Sequence, residues 1–419
     1  MDGRRLTRFS VLRERNFRNL FLGQSVSVFG DGITPVAITF AVLDMTGSAT
    51  DLGLVLASQS LPLAALALVG GVWGDRVRRE RLMLASDIVR AGVQATVAAL
   101  LLSGRATIWE LMLLLAAYGS AEAFFRPAWG GLLPQLVPQA RLQEANALMG
   151  MSENMGWMVG PAIAGTLIAV LSPGGAIAID AATFVVSAGF LATIRAPALA
   201  RRRARAAFVV ELRDGWHEVR SRRWLWVMLL RTCLVLFAAI APFQILGPLV
   251  LRHNGRGAPA WGFVMAIFSL GMILGGFVAL RYRPRRPMVV VALTGTSGCL
   301  SPMVLALGGY LPALGATEFI HGAAVGLLVA VWNTTLQTQV PKDALARVTA
   351  WDWMSSTALW PVGLAIAGPL VGVLGTPTAC WLSATIGLSC SLWVLGVKDV
   401  WRLRPAPASA APAAAHDAS

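Results

Sequence analysis

An all-α protein that crosses a membrane twelve times, as two six-helix bundles related by pseudo-symmetry, is the fold class the sequence predicts. Three observations predict it. The composition is too apolar for a soluble domain, the apolar runs have membrane-spanning length, and an internal repeat lays one half of the chain over the other.

The 419 residues are 56% hydrophobic and 13% charged, whereas soluble domains carry about a quarter charged residues. Length alone would allow two or three soluble domains, but the apolar residues come in long runs and not in short amphipathic stripes. Lys342 and Lys398 are the only lysines and neither follows a glycine. A phosphate-binding loop is therefore absent, which argues against an ATP-driven pump with its nucleotide site in this chain. Cys233, Cys299, Cys380 and Cys390 all sit in apolar segments without metal or redox spacing and read as packing residues. His217, His253, His321 and His416 are too scattered for a metal site. No metal and no cofactor is expected. Neither His-Glu-x-x-His nor Gly-x-Ser-x-Gly occurs, so an enzyme is not expected either.

A hydrocarbon core about 30 Å thick needs roughly 20 apolar residues per helix. Charges, Pro/Gly punctuation and polar turns cut the chain accordingly. The first span, 17–43, follows the basic segment MDGRRLTRFSVLRERNFRNL, has no Ala-x-Ala cleavage site and is expected to stay attached. The second and third, 51–74 and 80–103, are separated by GDRVRR, and the fourth, 107–134, follows SGRA. The fifth and sixth, 142–171 and 174–195, flank SPGG. The seventh and eighth, 223–251 and 259–281, flank RHNGRGA. The remaining four fall at 287–308, 311–339, 344–374 and 376–397.

With the N-terminus inside, the inner segments and adjoining span ends hold 29 of the 35 Arg and Lys residues and the outer loops only Arg105, Arg252 and Arg256. That asymmetry places both termini in the cytoplasm. It also accounts for the net charge of +14: the basic residues face anionic lipid, and no nucleic-acid partner is expected. Residues 1–16 form an N-terminal cytoplasmic segment, 17–195 and 223–398 the two bundles, 196–222 a linker, and 399–419 a low-complexity tail expected to be disordered. In the linker Phe208, Leu212, Trp216 and Val219 recur at helical spacing, predicting an amphipathic helix on the inner membrane surface.

The segments VPQARLQEANALMGMSENMGWMVGPAIAGTL (137–167) and VPKDALARVTAWDWMSSTALWPVGLAIAGPL (340–370) align without a gap, with 14 of 31 positions identical. Two six-span halves in parallel repeat are the organisation of major facilitator transporters. The turn GGVWGDRVRRERL resembles that superfamily's signature, with Gly71, Asp75, Arg76 and Arg79 in the pattern and Arg78 where the family usually has glycine. The matching turn of the second half keeps Gly276 and Arg281 but has Leu280 in place of the aspartate. By this resemblance Asp75 meets the start of the eleventh helix and the arginines close a cytoplasmic gate, with Asp352 as a further partner. In the fifth helix, Gly156, Gly160, Pro161 and Gly165 resemble the glycine-proline motif of the family's antiporters, with Ala164 replacing one glycine. Gly30-Asp31, FFRPAWGGLLPQLVP and GPAIAGTL extend the resemblance to the enterobactin-exporter and macrolide-efflux branch.

Ionisable residues inside spans are costly and usually face a cavity or a partner. Asp31, Glu122, Arg126, Glu153, Arg231, Glu318 and His321 are the candidates for proton coupling or for the substrate cavity, with Asp180 a further buried acid in the sixth span. The resemblance implies that spans one, four, seven and ten line that cavity. Asp31, about halfway along its span, is the foremost proton-coupling candidate, with hydrogen bonds to Gln24 or Thr34 as the structural alternative. Glu122 and Arg126, four apart, pair with each other or else Arg126 reaches Asp75; Asp87 and Arg90, three apart, read as a structural pair. The function expected is proton-coupled efflux of a small amphipathic organic molecule such as a siderophore or antibiotic by a monomer in the cytoplasmic membrane. Its partners are the substrate, protons and the lipid bilayer; import, or a non-transporting sensor or scaffold, is the alternative.

Overall fold

The computed structural model describes residues 10–196 and 208–404. The first nine residues, part of the linker and most of the Ala/Pro tail lie outside the described residues. Every regular element among the described residues is helical. Eleven continuous helices are long and apolar enough to cross a membrane: Arg15–Thr46, Ala49–Ala67, Arg79–Leu102, Ile108–Leu136, Gln139–Ala192, Arg223–His253, Gly257–Arg281, Pro287–Ala306, Leu311–Gln339, Ala344–Leu374 and Thr376–Gly396. The fifth is 54 residues long. At 1.5 Å per residue that is more than twice the thickness of a bilayer core. It is two spans, divided at Ser172, whose φ of 71° and ψ of 166° are not helical. Twelve crossings result, and an even number brings the chain back to the face where it began. That side is called here the termini face, and the opposite side the far face.

The break at Ser172 has a counterpart in the second half. Gly375 divides the eleventh span from the twelfth with φ 77° and ψ 157°. Glycine adopts this conformation freely, whereas a side chain there costs about 1–3 kcal/mol. Ser172 offsets part of that cost, because its Oγ accepts a hydrogen bond from the Gly175 N–H at 3.4 Å.

The repeated AIAG segments carry the packing between halves. Gly160 of span five lies on Gly32 of span one, and Gly363 of span eleven lies on span seven at Phe237. A Cβ at either glycine would fall 2.6 Å from a backbone atom. Five residues later each segment crosses to the other bundle. A Cβ on Gly165 would come within 2.9 Å of the Ala258 carbonyl oxygen in span eight, and one on Gly368 would overlap Thr50 at the start of span two. Gly262 closes the first crossing from the other side, against Pro161. The Ser269 hydroxyl also donates to the Met158 carbonyl at 3.2 Å, and Arg252 pairs with Asp44 at 3.1 Å. Together these contacts shut the far face.

Two spans of the second bundle are irregular. Span seven widens into a π turn at Leu236–Ile240, where Gly363 packs, and span nine tightens into a 3-10 turn at Gly295–Cys299. The linker helix, Phe208–Ser221, docks on protein: Val219 is buried in the core of the second half, and the Trp216 ring packs tilted against Trp351, with ring centroids 4.8 Å apart. The side chains of Phe208 and Leu212, the other half of the expected apolar stripe, lie outside the described residues.

Two outcomes are expected. Ser172→Gly should raise stability by about 1 kcal/mol, since glycine removes the left-handed cost and caps a helix nearly as well as serine; thermal unfolding in detergent measures it. Gly368→Ala should push span two away from span eleven and open the far face. Spin labels at positions 44 and 252 should then move apart, and an unchanged distance distribution would count against the seal described here.

Candidate functional site

A cavity of about 1100 Å³ lies between the bundles. Spans one, two, four and five of the first half form one wall and the beginning of span eleven the other. It runs from Asp31, Thr34 and Pro35 near mid-span to Gly130, Ala346 and Arg347 at the termini face. With the far face closed, its access is from the termini face.

The first wall carries most of the charge. Asp31 accepts a hydrogen bond from the Tyr118 hydroxyl at 2.7 Å and stands 3.9 Å from the Arg90 guanidinium. Arg90 is itself buried. It pairs with Asp87 one turn earlier and is sandwiched between the rings of Phe125 and Phe184, at 4.2 and 4.4 Å. Asp87 also accepts from the Ser187 hydroxyl at 2.6 Å, and Ser187 from Gln24 at 2.9 Å. The Asp87–Arg90 pair thus fixes spans three and six, and presents one edge of the guanidinium to Asp31. Glu122 and Arg126 face the cavity as an ion pair at 2.5 Å, neutralising each other. Glu153 is exposed to the cavity and makes no ion pair among the described residues. One turn further on, Trp157 is half exposed into the same space. Trp351, Trp353 and Met354 face it from span eleven, together with Arg347, whose Nε has no hydrogen-bond partner among the described residues.

The sequence-derived candidates therefore separate. Asp31, Glu122, Arg126 and Glu153 share the cavity wall. Arg231, Glu318 and His321 do not line it. Arg231 is buried against Gly295, where the tight turn of span nine leaves room for its guanidinium but for no side chain. Glu318 is buried beside Ser301 of span nine, and His321 meets the Ser297 hydroxyl at 3.0 Å. In this conformation spans seven and ten turn these polar faces into their own bundle. Asp352 lies early in span eleven. It accepts from the Trp332 indole N–H at 3.2 Å and makes no ion pair among the described residues. Arg79 donates to the Gly131 carbonyl of span four, and Arg78 pairs with Glu80 at 2.5 Å. The side chains of Gly71, Asp75 and Arg76 lie outside the described residues; their backbone ends the second helix. Within the antiporter motif, Gly156 and Gly160 pack on span one, while Pro161 and Gly165 meet span eight. Sequence reasoning missed Tyr118 and the approach of Arg90 to Asp31. A tyrosine within an apolar run, among only three in the chain, was the available signal.

A family model described as Major Facilitator Superfamily matches residues 20–360. The chain belongs to this superfamily. It is similar to macrolide efflux protein A of Streptococcus pyogenes, 26% identical over 92% of this chain and 97% of the relative. It is also similar to the multidrug efflux pump Tap of Mycolicibacterium fortuitum, 30% identical over 90% and 93% of the two chains. The crystal structure of the nucleoside transporter NupG superimposes with a TM-score of 0.71, covering 93% of this chain and 99% of that one at 12% identity, and so shares the fold. The protein is a multi-pass membrane transporter, not an enzyme, and members of this superfamily bind small-molecule substrates within the membrane.

Replacing Asp87 with asparagine should leave the Arg90 charge buried without its closest partner. A loss of about 3–5 kcal/mol is expected, read as a fall in the unfolding temperature of the detergent-purified transporter. A shift within the scatter of the wild type would assign the pair no structural role.

Proposed function

We propose that this transporter is a proton-coupled exporter of amphipathic organic molecules, with the termini face in the cytoplasm. One observation carries the reading: a drug-sized cavity whose aromatic walls surround a carboxylate, Glu153, with no ion pair among the described residues, and a second carboxylate, Asp31, hydrogen-bonded deeper within it. Cavities that enclose drug-sized ligands run to about 1,000 Å³ and combine apolar walls with a few polar groups. Trp157 and Trp353 supply flat apolar surface, and the carboxylate of Glu153 suits a basic nitrogen on the cargo. The efflux proteins among the relatives and the glycine-proline motif of span five support the outward direction. The basic asymmetry of the chain supports the orientation.

Asp31 suits the proton. It reaches the cavity, and its neighbours Tyr118 and Arg90 hold the carboxylate in place without sealing it. A proton entering an interior held at roughly −100 mV releases about 2.3 kcal/mol, enough for about a fifty-fold cargo gradient before any pH difference. No ATP is then required.

The test is transport of a labelled macrolide by the full chain in proteoliposomes under an imposed pH gradient. Wild-type protein should move it uphill. Asp31→Asn should abolish gradient-driven movement, while Glu153→Gln should weaken macrolide binding by roughly tenfold, the loss of about one charged contact. Transport indifferent to the pH gradient would refute proton coupling, and unchanged binding by the Glu153→Gln protein would remove Glu153 from the cargo site.

A further inference from the structure

Behind the cavity wall the first bundle encloses a second polar cluster that the proposed cycle has not used. Its centre is Asp180 of span six, fully buried. The Thr34 hydroxyl donates to its Oδ2 at 2.7 Å, Gln94 donates an amide N–H to the same oxygen at 2.6 Å, and the Thr183 hydroxyl reaches Oδ1 at 3.2 Å. No cation pairs with it among the described residues. Span one is shaped to admit it, for a Cβ at Gly30 would overlap both Asp180 Oδ1 and the Thr183 hydroxyl.

The charge inventory of this region is unequal. Asp31, Asp87 and Asp180 surround one guanidinium, that of Arg90. Asp87 takes it as a close partner, and Asp31 has the cavity and Tyr118. Asp180 is shut off from solvent and makes no ion pair among the described residues. The groups facing it are Asp31 from span one, Arg90 with Asp87 behind it from span three, and Tyr118 from span four, with Glu122 beyond Asp31. A carboxylate enclosed with no cation is relieved most directly by taking up a proton.

Its partners permit both states. A hydroxyl and an amide each offer a donor or an acceptor, depending on how they are turned. With Gln94 donating to the ionised carboxylate, its own Oε1 is buried without a partner among the described residues. Turning the amide over presents that oxygen to a protonated Asp180. Arg90, by contrast, can only donate, so Asp87 stays locked in its pair. Thr34 supplies the route, since it touches Asp180 on one side and borders the cavity on the other.

We propose that Asp180 is a second proton-carrying residue of the transport cycle, charged and discharged through the Thr34 hydroxyl that joins it to the cavity. On discharge the Asp180 proton passes to Thr34 Oγ1 while the hydroxyl's own proton moves to water in the cavity. Asp180 is left ionised and the hydroxyl is regenerated. The assignment rests on the proton-coupled reading given above.

Infrared difference spectroscopy of the purified full chain across a pH jump tests it without requiring transport. The wild type should show the carbonyl stretch of a buried protonated carboxyl group, and Asp180→Asn should lack that band. In proteoliposomes the Asp180→Asn protein should lose macrolide movement driven by a pH gradient while still exchanging labelled for unlabelled macrolide at equal pH. Thr34→Val guards against misfolding of the first variant: it leaves Asp180 in place, so the band should remain but respond slowly to the jump. If wild-type transport ignores the pH gradient, the coupling reading itself fails. If wild-type transport follows the gradient and both variants match it in spectrum and coupling, Asp180 carries no proton in the cycle and the proposal is overturned. Stimulation of the wild type by sodium without a pH gradient, lost in Asp180→Asn, would also overturn it in favour of a metal ion.

Discussion

The contact between the bundles at the far face depends on four helices approaching closer than side chains allow. Spans five and eight cross at Gly165 and Gly262, and spans eleven and two at Gly368 and Thr50. In a bilayer the hydrophobic effect gives little reason for one helix to prefer another over lipid, so close backbone packing supplies the attraction. Such contacts exist only in the conformation that brings the helices together. They are lost entirely when the helices part, which suits them to a gate that has to be either shut or open.

The same short sequence does this twice. Each Gly-x-Ala-Ile-Ala-Gly segment presents its first glycine to the first helix of its own bundle and its last, five residues later, to the opposite bundle. The internal repeat therefore preserves a mechanical role as well as a fold. It extends to the backbone beyond the aligned residues, where Ser172 and Gly375 take the same unusual conformation. The serine tolerates a geometry that its counterpart meets without a side chain.

Much of this was legible in the sequence because it is local or repeated. The span count follows from apolar run lengths, although the break inside residues 142–192 shows that polar punctuation marks a boundary better than helix continuity does. The Asp87–Arg90 and Glu122–Arg126 pairs follow from helical spacing. What escaped was rotational. Spans that are apolar all round give no face for a pattern to reveal, so Arg231, Glu318 and His321 looked equivalent to Asp31 although they point into their own bundle. The meeting of Asp31, Arg90 and Tyr118 joins three helices from distant parts of the chain, and no spacing rule reaches across them.

The cavity is asymmetric in its chemistry. Nearly all of its ionisable groups and the polar clusters behind them belong to the first bundle, while the second contributes chiefly one surface at the start of span eleven, with Trp351, Trp353, Met354 and Arg347. The charged wall and the span-eleven surface thus belong to different halves of a duplicated chain. Selection for a new cargo can remodel the span-eleven surface without disturbing the carboxylates opposite. A chimera that borrows this one segment from a relative would accordingly reshape one wall of the cavity while keeping the charged wall intact.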